Sequence, residues 1–123
     1  MTIHLTIKEV SKKYGISTDT LRYYERIGLF PRIKRTESGI RNFDEEACEW
    51  IAFIKCMRDC GVQIAPLTQY VALSFVEGTE LERLNILKEQ RTRLHTQRDE
   101  LDATIERLNK KIQHYEDVLN AQR

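Results

Sequence analysis

The sequence predicts a mainly α-helical chain, a winged helix-turn-helix followed by one long coiled-coil helix. Three observations carry this. Two short helical patterns, each with its own cap, are joined through Gly15. A basic, turn-rich segment follows at 32–43. From Glu80 onward the chain has neither Gly nor Pro, and apolar residues recur every seven positions. The expected division is a DNA-binding domain over residues 1–77 and a dimerisation helix over 79–120, with no separate effector domain.

Thr6-Ile7-Lys8-Glu9 is a capping box, so the first helix begins there and runs to about Lys13. Ser17 caps a second helix over 18–27, which Gly28 stops. Pro31 ends regular structure. Glu37-Ser38-Gly39 makes a hairpin tip between Ile33 and Ile40, predicting a small β-wing. Asp44 caps a third helix over 45–59, whose Trp50, Ile51, Phe53, Ile54 and Met57 are expected to supply much of the core. A fourth helix over 64–76 tolerates Pro66 in its first turn, and Gly78 marks a break.

In the last segment Leu84, Arg91, Arg98, Ile105, Ile112 and Leu119 fall at one heptad position. Leu87, Leu94, Leu101, Leu108 and Tyr115 fall at the other. A lone helix cannot bury such a stripe, so a homodimer through this coil is expected. Arg91 and Arg98 at seam positions weaken the coil locally and help fix its register, unless they reach outward to water.

Net charge is only +1, and charged residues make up 32% of the 123. Residues 1–45 carry nine Lys/Arg against six Asp/Glu, a modestly basic front half that suits nucleic acid. The start is polar and has no apolar signal-peptide core. No stretch reaches the ~20 apolar residues that span a bilayer. A cytoplasmic placement with no membrane partner is expected. Three cysteines do not make a secreted disulfide framework. There is no Gly-rich phosphate loop, no Ser/His/Asp set and no Cys-x-x-Cys pair, so neither an enzyme nor a cofactor is expected.

The second helix of a helix-turn-helix enters the major groove, and its early residues meet base edges. Thr18, Asp19, Arg22 and Tyr23 are the outward candidates, and Tyr24 can offer its hydroxyl to a phosphate. Packing is the competing role for the two tyrosines. Arg32, Lys34, Arg35 and Arg41 surround the wing, and Lys55 and Arg58 lie near the end of the third helix. Such a cationic set can clamp DNA backbone.

The runs Thr20-Leu21-Arg22-Tyr23-Tyr24-Glu25-Arg26-Ile27-Gly28-Leu29 and Arg35-Thr36-Glu37-Ser38-Gly39-Ile40-Arg41, followed by a long terminal coil, resemble the MerR family of bacterial transcription regulators. The resemblance covers essentially the whole chain. It implies an antiparallel coiled-coil homodimer on a palindromic operator in double-stranded promoter DNA. It also implies distortion of an over-long promoter spacer so that RNA polymerase engages both elements, a mechanism that reads DNA deformability. By position it places Arg22, Tyr23, Tyr24, Arg35, Arg41 and Arg58 at the DNA. Phe43 stands where a tyrosine is common, and Gln63 where a Ser-type cap is usual.

Trp50-Ile51-Ala52-Phe53-Ile54-Lys55-Cys56-Met57-Arg58 with Gly61 resembles the AdhR/NmlR branch of that family. The resemblance implies that Cys56 senses reactive electrophiles such as aldehydes, or oxidants. Free cysteine is also a common small core residue, so Cys48, Cys56 and Cys60 can equally be inert fillers. Helical spacing sets the three on one stripe through Ala52, leaving a two-thiolate metal site open. A metal-responsive regulator and an inducer-free architectural DNA-binding protein are the alternatives. Metal-sensing relatives hold ligand cysteines at the start of the dimerisation helix. This chain reads Thr79-Glu80-Leu81-Glu82 there, so no metal ligands are assigned.

Overall fold

The computed structural model describes residues 3–123, so the first two positions of the expected 1–77 domain lie outside the described residues. Five helices follow in order: α1 (Ile7–Tyr14), α2 (Thr18–Ile27), α3 (Glu45–Asp59), α4 (Ile64–Leu73) and α5 (Glu80–Ala121). The chain divides into two compact units, Met1–Ile86 and Leu87–Arg123, and the division falls inside α5.

Local chemistry sets the boundaries of α1 to α3. Thr6 and Glu9 exchange the two capping-box bonds, at 3.2 and 3.0 Å. Ser17 Oγ accepts from Thr20 N–H at 3.1 Å and starts α2. Gly28 ends α2 with φ +80°, a left-handed conformation that costs an L-residue roughly 1–2 kcal/mol. The end of α3 is a Schellman motif. Val62 N–H donates to Met57 O and Gly61 N–H to Arg58 O, both at 3.0 Å, with Gly61 at φ +85°.

The wing is smaller than a regular hairpin. Its register comes from one antiparallel bridge, Arg35 to Arg41, and from Asn42 N–H donating to Lys34 O at 2.7 Å. The predicted tip is present, with Gly39 N–H donating to Thr36 O at 2.9 Å. A second bridge pairs Leu5 with Phe43 and ties the segment before α1 to the wing's end.

Two clusters form the core of the first unit. Val10, Leu21, Phe30, Ile33, Phe43, Cys48 and Ile51 make one, and Leu29, Ile54, Val62, Leu67 and Val71 make the other. Tyr24 and Trp50 pack against both. Of the five α3 residues expected in the core, Ile51 and Ile54 are buried, while Trp50, Phe53 and Met57 are half-buried. Phe43 is buried, so its ring packs in the core instead of facing a ligand.

The expectation that the fourth helix reaches residue 76 is corrected: α4 ends at Leu73. The Thr79 hydroxyl competes for the chain there. It lies 2.8 Å from Leu73 O and 2.8 Å from Val76 O, its own backbone oxygen accepts from Arg83 N–H, and α5 starts from it.

Asp44 caps α3 by accepting from Ala47 N–H at 2.9 Å. That bond holds the Asp44 carboxyl below its ordinary value, with Lys34 adding to the effect against the opposing influence of burial. A carboxyl depressed in the folded state contributes stability that is present above its unfolded value and lost as pH falls through the folded one. Asp44→Ala is therefore expected to cost about 1 kcal/mol at neutral pH, and the cost should shrink in acid. Urea melts of both proteins at neutral and acid pH check this.

Candidate nucleic-acid interface

Arg22 and Tyr23 lie exposed on α2, Thr18 is partly exposed, and Tyr24 is half-buried. The Arg22 guanidinium is held over the first turn by Asp19 at 3.2 Å and Thr18 at 3.4 Å. Tyr23 presents an exposed ring with the Arg26 guanidinium 5.5 Å from its centroid. One helix face thus offers a positioned cation, an aromatic edge and a hydroxyl. These are groups that reach phosphates and base edges. Tyr24 packs against both core clusters, so it braces α2 against the body of the unit.

The wing's cations divide by role. Arg35 Nη1 donates to Gly39 O at 3.0 Å, which stiffens the tip while the side chain stays exposed. Lys34 pairs with Asp44 at 3.2 Å. Arg41 is turned inward, and its Nε donates to Glu25 Oε1 at 2.8 Å. The other oxygen of Glu25 accepts from Ile33 N–H at 2.7 Å. One carboxylate on α2 therefore grips both arms of the wing, and it is largely buried, with 10% of its side chain exposed. Sequence reasoning gave Glu25 no role. Its partners lie eight and sixteen residues away, beyond the reach of any local pattern.

A surface cleft of about 210 Å3 opens at the N-terminus of α2, lined by Gly15, Ile16, Ser17, Thr20, Tyr24, Lys55, Arg58 and Asp59. Arg58 Nη1 is anchored to Val62 O at 2.7 Å, and its Nε is buried with no hydrogen-bond partner. Lys55 pairs with Asp59 at 2.7 Å. A helix N-terminus with two cations beside it has the chemistry to hold a phosphate. The two cations expected near the end of the third helix are thus brought to the helix-turn-helix.

The three cysteines do not share one environment, which corrects the expected stripe. Cys48 is buried and lies against Tyr14. Burial pushes the Tyr14 hydroxyl above its ordinary value, and Cys48 adds to that shift. Cys56 and Cys60 are exposed free thiols. Among the described residues no group of three His, Cys, Asp or Glu side chains can hold a metal ion. No helix among them is long and apolar enough to cross a membrane.

The expected dimerisation residues lie on α5. Leu87, Leu101, Ile105, Leu108 and Ile112 are exposed in the single chain, and Leu94 is partly exposed. An exposed apolar row of this length, broken only at Arg91 and Arg98, is unusual on a monomer.

Residues 5–73 match the family of MerR HTH family regulatory proteins. The HTH-type transcriptional regulator AdhR of Bacillus subtilis is 51% identical over 92 residues, covering 73% of this chain and 65% of that protein. The matched region is thus just under two thirds of that relative's length. Among solved structures, a MerR family transcriptional regulator from Listeria monocytogenes superposes with TM-score 0.87 at 46% identity, over 91% of this chain and 86% of the other. HiNmlR, a MerR family regulator lacking the sensor domain and bound to promoter DNA, superposes with TM-score 0.84 at 27% identity, over 94% and 92%.

Proposed function

This chain belongs to the MerR family of helix-turn-helix transcriptional regulators, and from that premise we propose that it is an electrophile-responsive regulator that distorts promoter DNA as a homodimer. Arg22, Tyr23 and Thr18 read the groove, with Tyr24 placing its hydroxyl at the backbone. Arg35 and Arg41 serve the wing, and Arg58 holds a flanking phosphate. RNA polymerase is the partner at the promoter. The relative bound to promoter DNA supports the nucleic-acid part of this reading. It is proposed to work as two pieces, a DNA-binding domain over 1–77 and a dimerisation helix over 79–120, and to act in the cytoplasm.

The observation that carries the sensing part is the contrast among the thiols. Cys56 is exposed and free on α3, two residues before Arg58, and Cys60 is exposed at the helix end, while Cys48 is sealed in the core. Of the two exposed thiols, Cys56 is the one the family resemblance points to. An adduct on Cys56 changes the surface of the turn that carries Arg58. The two DNA-binding units then favour one dimer geometry over another, provided the modified state binds that geometry better. Promoter-dependent transcription in vitro tests this with wild type and Cys56→Ser, with and without a small aldehyde. The response should vanish in the variant while DNA binding persists. An equal response in both proteins would return Cys56 to a passive surface role.

Arg58→Ala should weaken binding about equally across DNA sequences. The slope of log affinity against log salt should fall by roughly one, as for any lost phosphate contact. Titrations at three salt concentrations on operator and unrelated duplex check it.

A further inference from the structure

We propose that Cys56 and Cys60 together form a dithiol site that chelates a trivalent, monosubstituted arsenical. The site needs no electrophile-sensing role for Cys56. It follows from where the second thiol sits. Cys60 is the C-cap of α3, one turn beyond Cys56, and both are exposed and free. Four residues of helix advance about 6 Å and return to nearly the same face. Side chains so spaced have Cβ atoms about 5–6 Å apart. A disulfide needs them at about 3.5–4.5 Å, so the intact turn is too wide for a direct S–S bond. It is wide enough for two sulfurs that converge on one atom between them.

The backbone that carries Cys60 is fixed, while its thiol keeps rotamer freedom to turn toward Cys56. The Cys60 N–H donates to Cys56 O at 3.2 Å, and Gly61 and Val62 close the Schellman motif behind it. Ala52, one turn before Cys56, is exposed and small, which leaves room for an organic substituent on the bridging atom.

The same geometry selects the ligand. Structural zinc takes four protein ligands, and no third ligand group stands here among the described residues. Paired thiolates favour a soft species that two sulfurs satisfy. Mercuric ion prefers its two sulfurs opposite one another, whereas two sulfurs carried one turn apart on the same helix face can meet on one atom only at an angle well short of linear. Pyramidal arsenic accepts that angle and carries its organic group on the third bond. In the step, R–As(OH)2 meets two thiols. Two As–S bonds form and two As–O bonds break. Each thiol proton leaves with a hydroxide as water, and arsenic stays trivalent.

The test treats the reduced full-length protein with one equivalent of phenylarsine oxide and reads intact mass and remaining thiols. Wild type and Cys48→Ser should each bind one arsenic per chain and lose two thiols. The adduct should survive excess glutathione and be removed by 2,3-dimercaptopropanol. Cys56→Ser and Cys60→Ser should give only adducts that glutathione strips. Unchanged melting temperatures show that these surface variants fold. A wild-type adduct stripped by glutathione would overturn the proposal, as would a resistant adduct in Cys60→Ser or chains joined through arsenic.

Discussion

Glu25→Gln is expected to destabilise the N-terminal unit by roughly 2 kcal/mol and to weaken operator binding at least tenfold. The carboxylate accepts two short bonds, from Arg41 Nε and from Ile33 N–H. Glutamine keeps the shape but has only one acceptor oxygen. Its amide N–H2 would then face a donor, so either Arg41 or the Ile33 backbone loses its partner. An unsatisfied donor in a largely buried place costs about 1–3 kcal/mol, and a broken charge-assisted bond stands near the top of that range. The binding loss has a separate cause. Glu25 fixes the angle between α2 and both arms of the wing, and a wing released from that angle meets the backbone out of register. A tenfold loss corresponds to about 1.4 kcal/mol. Urea melts and operator titrations check both effects. If neither quantity moved, the wing would owe its position to its other ties, the Leu5–Phe43 and Arg35–Arg41 bridges, the Asn42 to Lys34 bond and the burial of Ile33 and Phe43.

Much of the fold was legible because the decisive interactions are local. Thr6, Ser17 and Asp44 each bond a backbone N–H three residues ahead, so three helix starts could be read directly. Gly28 marks a helix end for the same reason. Where the reading failed, a longer-range or cumulative effect was at work. Phe75 and Val76 continue the apolar pattern of α4, yet the Thr79 hydroxyl lies within reach of both the Leu73 and Val76 carbonyls, and its one proton, shared between them, favours ending the helix early. Cys48, Ala52 and Cys56 look like one stripe, but positions four apart drift by about 40° on a helix of 3.6 residues per turn. The first step already carries the stripe from the core at Cys48 to the surface at Ala52, and the second leaves Cys56 in water. The candidate site shows the same split. Arg22 and Tyr23 could be placed outward from α2 alone, whereas the inward turn of Arg41 depends on Glu25, sixteen residues earlier. Arg58 was legible as a cation but not as part of a cleft beside Ser17 and Thr20, because only tertiary packing brings α3 to the turn between α1 and α2.

The double substitution Leu101→Asp with Leu108→Asp is expected to dissociate the proposed dimer and to lower operator affinity by about 10²–10⁴, the range that linked binding modules gain over separate ones. Both leucines sit at the same heptad position of α5 and are exposed in the single chain, at 64% and 55%. In a paired coil they would be buried, and each carboxylate would then have to lose its water without a partner. The N-terminal unit should not notice. Its two core clusters draw only on residues between Leu5 and Val71, so its melting transition should survive. This separation gives the test its force. Sedimentation should report a monomer, and the far-UV signal from residues before α5 should persist. Half-site duplex should bind the variant and wild type alike, and only the full operator should tell them apart. A variant that stays dimeric would move the interface off this seam. A monomer with undiminished operator affinity would mean that each unit binds DNA on its own, and a two-geometry switch driven from Cys56 would lose its mechanical basis.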